Sequence, residues 1–139
     1  CGVTGCVQSI SSGPHMAEYA MNRIKEGAES SILRYAGTLS KIDMVAVGRA
    51  FAENDPLAVE VVERGAEYLG RMFQSLYQIF DINVFVYGGG VMKLGPRFVD
   101  MIIASYRRYS QMELKYPAHF LPAELGDNTG MIGAALLVP

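Results

Sequence analysis

Apolar residues recur every three or four positions between Val59 and Phe80, at Val59, Val62, Ala66, Leu69, Phe73, Leu76 and Phe80. Charged and polar residues fill much of the remaining surface, among them Glu60, Glu63, Arg64, Glu67, Arg71 and Gln74. This 3.6-residue period predicts a long amphipathic helix, opened by the breaker Asn54-Asp55-Pro56. Burying such a stripe is worth roughly 1.5–3 kcal/mol per large side chain, so the helix is expected to lie against a sheet. Shorter helical patterns flank it. One starts at Ser12-Gly13-Pro14, runs through Met16, Tyr19, Ala20 and Ile24, and stops near Gly27. Another passes through Met44, Val47, Ala50 and Phe51, with Ser40 or Asp43 as its cap. A third begins at Gly95-Pro96 and carries Phe98, Met101, Ile102, Ser105 and Tyr106. Residues 7–10 suggest a short turn, and residues 28–39 a loop or short helix.

The period changes at Val84-Phe85-Val86-Tyr87. A run that is apolar at every position reads as a strand buried on both faces, as in a parallel α/β sheet. It leads straight into Gly88-Gly89-Gly90, where the backbone can turn sharply or approach a ligand without a side chain in the way. An ordinary β-to-α turn and a ligand-binding turn are both compatible with these residues. Ligands in open α/β sheets do collect at the carboxyl ends of strands. Two weak extended pieces follow, at 112–115 and 120–122. The chain closes on Leu125-Gly126-Asp127-Asn128-Thr129-Gly130-Met131-Ile132-Gly133-Ala134-Ala135, where Asp127 or Asn128 can cap a terminal helix and Gly130 and Gly133 permit close packing.

Composition narrows the classes. The chain has 139 residues, half of them hydrophobic and 19% charged, enough for one domain with a real core. Net charge is -2 and no basic run exceeds Arg107-Arg108, which argues against a nucleic-acid surface. No apolar run approaches the roughly 20 residues of a membrane span, and no secretory signal pattern opens the chain. The two cysteines both lie in Cys1-Gly2-Val3-Thr4-Gly5-Cys6, a spacing better suited to a metal-binding knuckle than to a disulfide framework. Zinc needs about four ligands and this stretch offers two. A chain that opens inside such a motif, without Met, is expected to be part of a longer protein.

Three segments, in this order, resemble the ROK family of sugar kinases and sugar-responsive repressors. The first is Cys1-Gly2-x-x-Gly5-Cys6, similar to the end of that family's zinc motif. The second is Asn54-Asp55-Pro56-x-Ala58 followed by Tyr87-Gly88-Gly89-Gly90-Val91. The third is the terminal Leu125-Gly126-Asp127 stretch through Ala135. The resemblance implies an α/β fold, the carboxyl-terminal lobe of an actin-like (ribonuclease-H-like) kinase, with residues 1–139 forming that lobe and the amino-terminal lobe outside the chain. It implies ATP with Mg²⁺ as cofactor, with Gly88, Gly89 and Gly90 on the adenosine side, where a Cβ would meet the nucleotide. It implies a structural Zn²⁺ held in the parent by Cys1 and Cys6 with ligands from elsewhere. Gln8 stands where the family has a sugar-binding glutamate, a departure that exchanges a charge-assisted acceptor for an amide able both to donate and to accept. No catalytic residue is assigned to this stretch, since the general base and phosphate loops would lie upstream.

The resemblance further implies a hexose substrate, a cytoplasmic location and a homodimer, with Met16, Tyr19 and Met21 as interface candidates. Lys93 and Arg97 follow the glycines and are weighed as phosphate contacts against ordinary solvated bases. Asp127 is read as a helix cap rather than an acid. His15 and His119 are not spaced as metal ligands with the cysteines. Two functions are expected of a parent protein: an ATP-dependent sugar kinase, or a repressor that uses this lobe to sense sugar. A scaffold that only dimerises is the third.

Overall fold

The computed structural model describes residues 5–110 and 115–137, with the Asp127 side chain outside the described part. Cys1 and residues 112–114 of the extended piece expected at 112–115 also lie outside the described residues, and Lys115 is in a turn. Among the described residues, seven α-helices and two strands follow one another: α1 (Gln8–Ser11), α2 (Gly13–Lys25), α3 (Ile32–Ala36), α4 (Met44–Ala52), α5 (Pro56–Phe80), β1 (Val84–Tyr87), α6 (Pro96–Tyr109), β2 (His119–Pro122) and α7 (Thr129–Ala135). A 3-10 turn, Gly90–Leu94, links the glycines to α6.

The helix starts follow the capping chemistry of the sequence. Asp43, not Ser40, caps α4 by accepting the Ala46 N–H at 2.9 Å. Asp55 caps α5 through the Ala58 N–H at 3.0 Å, with Pro56 in the first turn. The same carboxylate accepts from the Ser31 N–H at 2.7 Å and from the Ser30 and Ser31 hydroxyls, which fastens the segment before α3 to the start of α5. Burial pushes the Asp55 carboxyl up, but these four hydrogen bonds together outweigh it and hold it below its ordinary value. Of the two candidate caps for α7, Asn128 sits at the N-cap without a side-chain capping bond, and the Asp127 side chain lies outside the described part. The Thr129 hydroxyl instead donates to the Gly126 carbonyl at 2.7 Å.

The long helix packs differently from the expected stripe. Its buried positions are Leu57, Ala58, Val61, Val62, Gly65, Ala66, Gly70 and Tyr77, while Phe80 is 64% exposed. Two glycines that carry no hydrophobic signal belong to the packed face, because other elements approach there. The expectation that α5 lies along a sheet holds only for its last turns. The amino-terminal part joins α2, α3, α4 and α6 in a helical core built on Met16, Ile32, Val47, Phe51, Val61, Val62 and Phe98. Met16 is therefore a core residue, 1% exposed, and not an interface residue of this surface. α1 is pinned to α5 by the Ser11 hydroxyl, which donates to the Gly65 carbonyl at 2.9 Å.

A second, aromatic core joins the last turns of α5 to the sheet: Tyr77 of α5, Phe85 of β1 and Tyr106 of α6, with Phe73 and Phe120 against them. Phe85 and Phe120 stack at 5.3 Å between centroids. These rings lie on one face of a two-stranded parallel sheet in which Val84 pairs with His119 and Tyr87 with Pro122. The expectation that β1 is buried on both faces does not hold here. Phe85 is 5% exposed, but Val84 and Val86 are 51% and 66% exposed. The described residues supply cover for one face only. α7 likewise has no buried residue, and a Cβ at Gly130 or Gly133 would meet nothing within 4 Å. The close packing anticipated for those glycines has no partner among the described residues.

α5 and α6 are also joined by a polar cluster on Glu67. Its carboxylate accepts from the Ser105 and Tyr109 hydroxyls and pairs with Arg71 at 2.9 Å and Arg108 at 3.2 Å. The Tyr109 hydrogen bond, ahead of those from Ser105 and Arg71, holds this carboxyl below its ordinary value against the opposing effect of burial. A carboxyl with a lowered folded pKa binds fewer protons folded than unfolded in the window between its two pKa values, so stability rises with pH there. Its contribution is complete above the ordinary value of about 4.3 and is lost as the solution is acidified through the lowered folded value. Thermal unfolding of full-length protein is expected to show this acid limb below about pH 4.3, and Glu67→Gln is expected to flatten it. An unchanged limb in the variant would assign the acid sensitivity elsewhere.

Candidate nucleotide-side site

The glycine turn closes the carboxyl end of β1. The Ala123 N–H donates to the Tyr87 carbonyl at 2.8 Å, so the sheet ladder runs to the residue before Gly88. The three glycines then differ in what they require. A Cβ on Gly88 would stand 3.3 Å from Ala123 Cβ, a tight fit. Gly89 has φ 97° and ψ 172°, a region that only glycine enters without strain. Gly90 has neither constraint, and a Cβ there would meet nothing within 4 Å.

Gly90 faces a cavity of about 850 Å³. Gly13, Ala17, Glu18 and Met21 of α2 form one wall, and Ile42, Asp43 and Met44 at the entry to α4 form a second. Gly90 and Val91 form the third. A Cβ on Gly13 would lie 3.3 Å from Met44 and 3.5 Å from Val91, so a glycine at this place lets the three walls converge. The lining is mainly apolar and carries two carboxylates, Glu18 and Asp43, with no lysine or arginine among the described residues. Such a cavity suits a flat or apolar group bearing hydrogen-bond donors and disfavours a polyanion.

The other candidates stand apart from it. Gln8 opens α1 and is exposed, and neither it nor Cys6 lines the cavity. The Cys6 thiol sits lower than usual because Ser9 hydrogen-bonds it, through its side chain and its N–H at 3.4 Å. Among the described residues no group of three His, Cys, Asp or Glu side chains could hold a metal ion, so Cys6 is one donor and not a site. His15 is engaged by the Ser12 hydroxyl at 2.8 Å. Arg97, weighed above as a phosphate contact, is committed to the protein. It stacks 4.2 Å from the centroid of Phe51 and donates to Asn54 Oδ1 at 2.8 Å.

The profile of the ROK family matches residues 1–139, the whole of the sequence. The chain belongs to the ROK family. A glucokinase of Halalkalibacterium halodurans is 32% identical over 141 residues, an alignment covering 99% of this chain and 42% of that protein. Among solved structures, a ROK glucokinase from Streptomyces griseus in complex with glucose and AMPPNP superposes with a TM-score of 0.86 at 32% identity, covering 99% of this chain and 45% of that one. A ROK family transcriptional regulator superposes with a TM-score of 0.80 at 24% identity and shares the fold. The chain thus spans less than half the length of these relatives. Its architecture is that of ROK sugar kinases, an actin-like α/β fold.

The ROK assignment was legible in the three motifs, but most of the cavity was not. Ala17, Glu18, Met21 and Ile42 carry no local signal, because the cavity arises from the approach of three segments far apart in sequence. The Gly13-Pro14 helix start and the Asp43 cap were visible, though only as secondary-structure punctuation.

Proposed function

We propose that this chain is the carboxyl-terminal lobe of an ATP-dependent hexose kinase and forms the adenosine side of its cleft. The observation that carries the reading is the cavity under Gly90: apolar, acid-bearing, free of basic side chains and continuous with a glycine turn at a strand's carboxyl end. It fits a nucleoside, whose base offers a flat apolar face and whose ribose and amino groups offer donors. The phosphates would run from it past Gly89 and Gly88, where bare backbone permits close approach. The general base that deprotonates the sugar hydroxyl, and the groups that stabilise charge on the transferring phosphoryl, would come from the rest of the parent protein. Gln8 would contribute to the sugar site and Cys1 and Cys6 to a structural zinc site, each completed by residues from outside this chain. ATP with Mg²⁺ as phosphoryl donor, a homodimeric assembly and a cytoplasmic location belong to the same reading. The chain's similarity to glucokinases supports it.

A coupled assay of ADP release by the full-length protein against a panel of hexoses tests the kinase. Turnover with one sugar is the expected result. Sugar binding without ADP release for any member of the panel would favour the second reading, a sugar-sensing lobe of a ROK repressor. Gln8 in place of the family's glutamate is the observation on that side. For zinc, metal analysis of full-length protein is expected to find about one ion per chain, given a four-ligand site, and a marked loss in Cys6→Ser. Full-length protein without zinc would refute the structural site.

A further inference from the structure

The Asn54-Asp55-Pro56 motif opens α5, yet Asp55 and Pro56 account for the helix start without Asn54. Asn54 has φ 60°, a left-handed conformation that asparagine tolerates better than most residues. Its side-chain oxygen receives Arg97 Nη1 at 2.8 Å. The same nitrogen reaches the Phe51 carbonyl at 3.3 Å, and the guanidinium stacks on the Phe51 ring at 4.2 Å. Phe51 is 3% exposed and belongs to the helical core, so the anchor is fixed. Arg97 is the second residue of α6 and lies seven positions after Gly90.

We propose that Arg97 and Asn54 form a strut that holds the glycine turn at its working distance from α2 and α4, which makes both of them positioning residues for nucleotide binding. This rests on the reading of the cavity as a nucleoside site. The segment between Gly90 and Arg97 also packs on the helical core through Val91, Met92 and Leu94. Val91 stands against Gly13, and a Cβ on Gly48 of α4 would lie 3.3 Å from Leu94 Cδ2. These contacts are apolar and non-directional. Arg97 adds a directional contact, and it joins the carboxyl end of α4 to the first turn of α6. The entry to that same α4 forms the opposite wall of the cavity. A change in how α6 sits on α4 therefore alters the gap that a nucleoside has to fill. With one ring face and two acceptors occupied, the guanidinium acts on the ligand through the backbone it positions.

The test titrates full-length protein separately with a non-hydrolysable ATP analogue and with its sugar, for wild type, Arg97→Ala, Arg97→Lys and Asn54→Gly. Asn54→Gly is the decisive variant. Glycine keeps the left-handed backbone without strain and removes only the acceptor of Arg97. Arg97→Ala and Asn54→Gly are each expected to weaken the analogue roughly tenfold, the size of one charge-assisted hydrogen bond, with sugar affinity unchanged. Arg97→Lys, which keeps the charge and loses the stack and the fork, is expected to fall with them. Normal binding in Asn54→Gly and Arg97→Lys beside a loss in Arg97→Ala would overturn the strut in favour of a direct phosphate contact. A lowered melting temperature with both affinities intact, or an equal loss of both ligands, would overturn it in favour of a structural role alone. Wild type that binds sugar but no nucleotide removes the nucleoside reading itself, and the strut with it.

Discussion

Gly70→Ala is expected to destabilise the protein by about 1–3 kcal/mol, the range of an overpacked core, although alanine is worth about 1 kcal/mol more than glycine inside a helix. The reason is the α5–α6 crossing. A Cβ on Gly70 would stand 2.5 Å from both Ser105 Cβ and Ser105 Oγ and 2.6 Å from the Tyr106 backbone nitrogen. The Ser105 hydroxyl could rotate, but Ser105 Cβ and the Tyr106 nitrogen are fixed to the backbone of α6. Relief requires α6 to move away from α5, and that movement strains further contacts. Ser105 donates to the Glu67 carbonyl at 2.9 Å, and Tyr106, fully buried, packs edge-on to Tyr77 and Phe120. Gly65→Ala is the matched control on the same helix. There the near atoms are Sδ and Cε of Met16, at 2.9 and 2.8 Å, the far end of an unbranched side chain that can turn aside. The melting temperature of full-length protein should fall clearly for Gly70→Ala and much less for Gly65→Ala. Equal shifts would mean that the crossing yields as easily as a methionine.

The second large effect is on ligand rather than fold. Gly90→Ala is expected to leave stability within about 0.5 kcal/mol of wild type, as for a substitution in open space, and to weaken nucleotide binding by a factor of about 10 or more, as for a methyl group placed against a ligand. The structure leaves room for that Cβ as far as the protein is concerned. Any cost must then come from what occupies the cavity. Gly89→Ala cannot make this separation, because φ 97° penalises every L-residue by roughly 1–3 kcal/mol whether or not a ligand is present. Fluorescence titration with an ATP analogue, beside a thermal melt, reads both quantities. Unchanged nucleotide affinity in Gly90→Ala would remove that glycine from the site.

The contrast between these glycines shows how far the amino-acid pattern carries. Gly88, Gly89 and Gly90 stand out in sequence as a triplet after a strand, and their place at the end of β1 was legible. Gly65 and Gly70 look like interruptions of a helix, yet they are packing positions, since the close approach of another element is invisible to hydrophobic periodicity. That also explains why the expected stripe drifts from the buried face and ends on Phe80, which is exposed, instead of Tyr77, which is buried. The caps Asp43 and Asp55 were readable because capping is local. α3 was not resolved from loop, because five residues carry too few turns for a period to show. The cavity depends on contacts between distant segments, and only Gly90 among its walls had been singled out as a ligand contact.

Val84 and Val86 have a consequence for timing as well as for packing. Each strand of the sheet has one hydrogen-bonded neighbour among the described residues, so the backbone groups on the outer edges of β1 and β2 face away from the ladder. In an isolated lobe, those outer-edge amides are expected to exchange with deuterium soon after dilution, while the amides of the buried stretch of α5 hold theirs far longer. In the parent kinase proposed above, a sheet extended on either side would slow the same amides. Deuterium uptake along residues 84–87 and 119–122 would then read out, at single-strand resolution, when the remainder of that parent has docked.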